Sequence, residues 1–176
     1  MKIKKTYVDY MKDFYIGQRA YFIELDPHGY EEKIENITQI SSNYNTIIIT
    51  GDEELNQQEE ILQYTKTLKK INPQIKIQIH INGKRKPKNT PIEIEYIVRL
   101  TKDMDEKNIK WLIKADAKFI FNIQDEDDLE NINTIAAVFL MKKTQIYINI
   151  KNNYNELKEK VKIMGYNIYV KLEGEW

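Results

Sequence analysis

Thr46-Ile-Ile-Ile-Thr50, followed at once by Gly51, is the stretch that decides the fold. It is β-branched throughout, too short for a helix and apolar on both faces, which is the pattern of a parallel strand buried between layers. Gly51 ends it. Outward along the chain, residues 56–70 carry Ile61, Leu62 and Leu68 at helical spacing, Ile71 extends the stripe, and Pro73 stops it. Ile75, Ile77, Ile79 and Ile81 then alternate with Lys76, Gln78 and His80, which predicts a strand broken by Asn82-Gly83.

The same rhythm extends both ways. Tyr21–Leu25 reads as a strand ended by Asp26-Pro-His-Gly29, and residues 31–40 as a short helix with Ile34, Ile37 and Ile40 on one face. Ile92, Ile94, Tyr96, Val98 and Leu100 alternate, so 92–100 fits a strand, and a helix of similar length fits nearly as well. Residues 108–114 read as a helix, 118–123 as a strand, and Asp125 as the cap of a helix reaching about Leu140. Gln145–Ile150 is an expected strand, Asn155–Met164 a helix stopped by Gly165, and Tyr166–Leu172 a last strand. Strand–helix alternation at this spacing predicts an α/β fold with a mostly parallel sheet, either open or an incomplete (β/α) barrel. Function is then expected at the carboxyl ends of the strands.

Composition removes several classes of function. The chain has 176 residues, 41% hydrophobic and 31% charged, with 27 Lys plus Arg against 27 Asp plus Glu. That suits one folded domain over 1–176, without the global positive field of a dedicated nucleic-acid binder. Cysteine is absent, which removes disulfides, Cys-ligated zinc, Cys-held iron–sulfur clusters and thiol catalysis. His28 and His80 are the two imidazoles, too few for a multi-histidine metal site, and no metal is expected. Ser41 and Ser42 have no histidine near them in sequence, which argues against a serine hydrolase. No apolar run reaches the ~18 residues of a membrane span. The opening Met1-Lys-Ile-Lys-Lys-Thr-Tyr7 has no apolar signal region, so the expected location is cytoplasmic.

Three segments in order resemble the radical-SAM proteins of the 7-carboxy-7-deazaguanine synthase type. Phe14-Tyr-Ile-Gly-Gln-Arg-Ala-Tyr-Phe-Ile-Glu-Leu25 resembles their F-x-x-G-x-x-A-V-F-I-R-L, and Ile47-Ile-Ile-Thr-Gly-Asp-Glu-Glu-Leu55 their V-x-I-T-G-G-E-P-L. Ile77-Gln-Ile-His-Ile-Asn-Gly83 resembles their I-x-I-E-T-N-G, and Ala117–Leu129 is similar to their K-F-V-V-x-x-x-x-D-L. The resemblance covers most of the chain and implies a partial (β/α) barrel of radical-SAM type. It also implies a loop with three cysteines after the strand at Tyr21–Leu25, holding an iron–sulfur cluster. Here that loop is Asp26-Pro-His-Gly-Tyr-Glu-Glu-Lys33, short and without cysteine. Asp52 stands for the second glycine of G-G-E and Glu54 for the proline, while Glu53 is retained. A carboxylate at Asp52 disfavours the carboxylate of a methionine group. The expectation is a scaffold without its radical chemistry, hence without cofactor.

Glu53, His80, Asn82 and Lys118 are the candidates for a ligand pocket at the barrel mouth. Each has a plainer reading: an acidic first helical turn, a packed strand residue, a turn signal and a solvent-facing strand start. Lys84, Arg85, Lys86 and Lys88 form the densest basic segment, at the rim beyond a strand, and Tyr7, Tyr10 and Tyr15 an aromatic N-terminal segment. These are the candidates for partner binding. Asp125-Glu-Asp-Asp128 reads as helix capping rather than a metal site. The leading expectation is a non-catalytic protein that binds a protein or ribonucleoprotein partner as regulator or inhibitor, of the kind a phage or mobile element uses in counter-defence. Nucleic-acid contact would run through Lys84–Lys88, and a homodimer is compatible with this. The competing expectation is a protein that binds a deazapurine or nucleotide, or a non-radical enzyme, using the mouth near Glu53 and His80.

Overall fold

The computed structural model describes residues 2–10, 18–26, 37–51, 55–88, 93–100, 105–151 and 154–169, without the side chains of Tyr10 and Tyr154. In chain order its elements are β1 (Ile3–Tyr10), β2 (Arg19–Leu25), α1 (Ile37–Asn43), β3 (Thr46–Thr50), α2 (Gln58–Ile71), β4 (Lys76–Ile81) and β5 (Glu95–Arg99). α3 (Glu106–Lys114), β6 (Lys118–Ile123), α4 (Glu126–Phe139), β7 (Ile146–Ile150), α5 (Tyr154–Ile163) and β8 (Asn167–Ile168) complete it. The eight strands lie side by side in sequence order. β2 to β8 are parallel and β1 is antiparallel to β2. Among the described residues β1 and β8 do not pair, so the barrel stays open.

The two faces of the sheet differ in kind. Ile23, Ile47, Ile77, Val98, Phe119 and Ile146 point one way and bury against Ile61 and Leu68 of α2, Leu112 of α3, Leu129 of α4 and Val161 of α5. One continuous apolar core results, each fully buried Ile or Leu contributing ~1.5–3 kcal/mol. Because all the helices dock there, the other face carries no helix among the described residues, and this open face is where polar side chains collect. It has two small apolar patches, Ile97 with Ile120 and Tyr169, and Ala20 with Ile48.

Residues 92–100 settle as strand Glu95–Arg99, because hydrogen bonding to β4 and β6 favours extended backbone over a helix that pattern alone allowed. Asp125 caps α4 as expected, its Oδ1 accepting from the Asp128 amide at 3.0 Å. β1 was not foreseen: its polar residues stand on both faces, so no alternation announces it. Of the last strand expected at 166–172, Asn167–Ile168 is observed, and 170–172 lie outside the described residues.

Candidate functional site

Alternation along β4 buries Ile77, Ile79 and Ile81 among the helices and turns Gln78 and His80 onto the open face. The register sets Gln78 beside Glu95, and His80 beside Ile97, which is in turn beside Lys118. Gln78 Nε2 donates to a Glu95 carboxylate oxygen, and Lys118 Nζ pairs with the other oxygen. Lys118 also lies 5.9 Å from the centre of the Tyr147 ring. Gln78, Glu95, Lys118 and Tyr147 thus form a polar band across four strands.

Gln78 Oε1 and His80 Nε2 are both buried with no hydrogen-bond partner. Burial, with the charge of Arg99 second, pushes the His80 imidazole down to about 4, so it is neutral at pH 7. Nearer the carboxyl ends, Asn149 Nδ2 donates to Asn122 Oδ1 at 2.7 Å. At the far edge Glu24 binds Lys4 at 2.6 Å and Lys5 at 3.3 Å. The Lys4 hydrogen bond holds its carboxyl below the usual range.

Of the expected pocket residues, His80 and Lys118 come together on this face, in one row with Ile97 between them. Lys118 is not the solvent-facing strand start of its plainer reading; it is half-buried and ion-paired. Asn82 does not join them. It is buried, its Oδ1 accepts the Lys84 amide at 3.0 Å, and Gly83 follows at φ +78, so it shapes a turn. Glu53 lies outside the described residues. Sequence reading missed Gln78, Glu95, Arg99, Asn122 and Asn149. The available signal was the polar phase of each strand, two residues from His80 in β4 and opposite Tyr96 and Val98 in β5.

The basic segment contacts α2 and α3. Lys84 carbonyl oxygen accepts from Asn108 Nδ2 at 2.8 Å, Lys86 Nζ sits 5.6 Å from the Trp111 ring centre, and Lys88 pairs with Glu59. Arg85 is exposed. Of the tyrosines, Tyr7 is half-buried in β1 and stacks on Phe22 at 5.0 Å. Tyr10 ends β1, and Tyr15 lies outside the described residues. A cleft of about 340 Å3 between α4 and α5 is lined by Asp125, Glu126, Asp127 and Glu156. No helix among the described residues is long and apolar enough to cross a membrane.

No family model matches the sequence, and no curated protein matches it. The fold does have a counterpart. It superposes on the crystal structure of QueE from Escherichia coli with a TM-score of 0.71, over 98% of this chain and 94% of that one, at 14% identity. The chain therefore has the α/β fold of radical-SAM type and resembles 7-carboxy-7-deazaguanine synthase in architecture. An iron–sulfur cluster in such a fold needs thiolate ligands. The sequence contains none, and the loop that would supply them offers Asp26, His28 and Glu31 instead. The donor set does not fit the cluster.

Proposed function

We propose that this chain works by binding rather than by radical chemistry, and that its ligand is a small polar molecule held on the open face beside His80. One observation carries this: Gln78 Oε1 and His80 Nε2, two positions apart on one strand, are buried and unpartnered. A buried polar atom without a partner costs ~1–3 kcal/mol; a ligand N–H relieves the Gln78 oxygen, and the His80 nitrogen takes a ligand donor or acceptor according to its tautomer. The neutral imidazole sets no charge requirement, while Arg99 at the rim favours an anionic group. A flat heterocycle with N–H donors, such as a deazapurine or a nucleotide base, has this chemistry. A cytoplasmic location accords with it.

Calorimetric titration with 7-deazaguanine and with guanosine monophosphate tests the reading. Wild type should bind at least one, and Gln78→Leu and His80→Phe should each weaken binding about tenfold, since one hydrogen bond to a buried group is worth ~1.4 kcal/mol. Absence of heat with wild type, or equal binding by all three proteins, rejects it.

The basic segment favours a second reading: a non-catalytic regulator or inhibitor of a protein or ribonucleoprotein, as in phage counter-defence. The loop touches Asn108, Trp111 and Glu59 and presents the exposed Lys84 and Arg85 at the rim. Affinity capture from the native host tests it. Replacing Lys84, Arg85, Lys86 and Lys88 with Ala should then weaken capture and flatten its salt dependence, while His80→Phe leaves capture unchanged.

A further inference from the structure

We infer that the amino-terminal ends of β2, β3 and β4 form a second binding pocket, suited to a small phosphate monoester with a hydroxylated body, such as a sugar phosphate. It lies away from the strand carboxyl ends and stands whether or not a ligand binds beside His80. Arg19 opens β2 and Lys76 opens β4, with β3 between them. A cavity of about 520 Å3 lies among these strand ends, the end of α1 and the loop from α2 to β4, within the ~300–1,000 Å3 typical of small-molecule sites. Asn72 Nδ2 donates to the Ser41 carbonyl at 2.9 Å, which joins the end of α2 to α1, and the Lys76 amide donates to the Asn45 carbonyl at 2.8 Å. These bonds bring the three parts around one space.

The lining is one-sided in charge. Its described residues include Arg19, Lys76 and the side-chain amides of Asn43, Asn45 and Gln74, and no carboxylate, although acidic and basic residues are equal in number over the whole chain. The cations are not there to balance a helix end: the last turn of α2 carries its own Lys69 and Lys70, and Lys69 Nζ donates to the Pro73 carbonyl at 3.4 Å. The Arg19 guanidinium lies 5.5 Å from the centre of the Tyr44 ring, Tyr44 meets Tyr21 at 5.3 Å, and both tyrosines pack on the main core. A guanidinium over a ring still presents N–H groups at its edge and can fork onto two oxygens of an oxyanion, while a lysine adds a point charge. Two cations match a phosphate monoester, which carries about −1.5 to −2 at pH 7. The cavity holds more than a phosphate group, and amides both donate and accept, which suits hydroxyls. A nucleobase needs an aromatic face to stack on, and the Tyr44 ring is already engaged by Arg19 and Tyr21, so a hydroxylated body fits better.

Calorimetric titration at low salt with ribose 5-phosphate, ribose, inorganic phosphate and adenosine monophosphate tests this. Wild type should bind ribose 5-phosphate about tenfold or more tighter than either ribose or inorganic phosphate, and more weakly as salt rises. Adenosine monophosphate should bind no tighter than ribose 5-phosphate. Arg19→Gln and Lys76→Gln should each weaken binding about tenfold, whereas Lys66→Gln, which removes an exposed charge elsewhere on α2, should leave it unchanged. Circular dichroism and melting check that the variants fold. Absence of heat from wild type with ribose 5-phosphate at about 5 mM, inorganic phosphate binding as tightly as the sugar phosphate, tighter binding of adenosine monophosphate, or an Arg19→Gln protein that binds as wild type does would each overturn the inference.

Discussion

The side-chain amide of Gln78 donates to the carboxylate of Glu95 on the neighbouring strand, and that bond fixes which end of Gln78 is left without a partner. The amide nitrogen must face the carboxylate, so Oε1 points away. Two substitutions separate the consequences. Gln78→Leu loses one hydrogen bond but also removes a buried orphan, so its stability should stay within about 1 kcal/mol of wild type. Gln78→Glu sets two carboxylates side by side on a half-buried face and should lose about 2 kcal/mol at pH 7. Urea denaturation of both variants checks the order.

His80 should make the fold acid-sensitive. Its pKa is depressed from the ordinary 6.5 to about 4 by burial and by Arg99. The unfolded chain therefore takes up the proton first as pH falls. The stabilisation is fully present above about pH 6.5 and is lost as pH drops toward 4, amounting to about 3 kcal/mol at most. Stability measured at about pH 7 and about pH 4.5 should fall more for wild type than for His80→Gln. An equal fall in both would mean that His80 is not the titrating group.

Gln145 is 2% exposed at the threshold of β7. Its Nε2 donates to the Ile113 carbonyl at 3.0 Å and the Ala117 carbonyl at 3.3 Å, and its Oε1 accepts the Lys142 amide at 3.2 Å. One side chain thus ties the end of α3 to the start of β7. Gln145→Ala should lose about 2–3 kcal/mol, because several buried backbone groups lose a partner together, and Gln145→Glu should be no better.

Gly51 follows β3 at φ +90, and a Cβ there would stand 2.2 Å from the Leu25 carbonyl oxygen and 2.9 Å from its amide nitrogen. Both obstacles are backbone at the end of β2, which cannot rotate aside. Gly51→Ala should therefore lose about 3 kcal/mol or more, or fail to fold, whereas Gly165→Ala meets only the flexible Lys143 side chain and should lose less. Thermal melts of the two variants compare them.

Anaerobic reconstitution with iron and sulfide should leave no stoichiometric iron and no broad absorbance near ~400 nm, since a cluster requires thiolates and the chain has no cysteine. Stoichiometric iron in the desalted protein would refute this.

Much of the fold was legible because it is local. The isoleucine runs at 46–50 and 75–81, the stop at Pro73 and the Asp125 cap each depend on neighbours a few residues away, and each forms as the pattern predicts. Glu95–Arg99 could not be read so, because its strand conformation comes from hydrogen bonds to β4 and β6, far off in sequence. β1 escaped for the same reason: residues 3–10 are extended because β2 supplies their partners, not because their own pattern demands it.

The site divides along the same line. Sequence by itself determined that thiolate chemistry is absent and that His80 turns away from the isoleucines flanking it, since both follow from residue identity and a period of two. Only the tertiary structure decided what His80 meets there. Strand register brings Gln78, Glu95 and Lys118 into one band and leaves two buried atoms unpartnered. The Asn82 turn, by contrast, is local and legible in Asn82-Gly83, whereas the tertiary fold draws Lys88 to Glu59. The physical reason is that pairing across a parallel sheet joins residues separated by a whole helix and its loops, and no local periodicity encodes which of them will face one another.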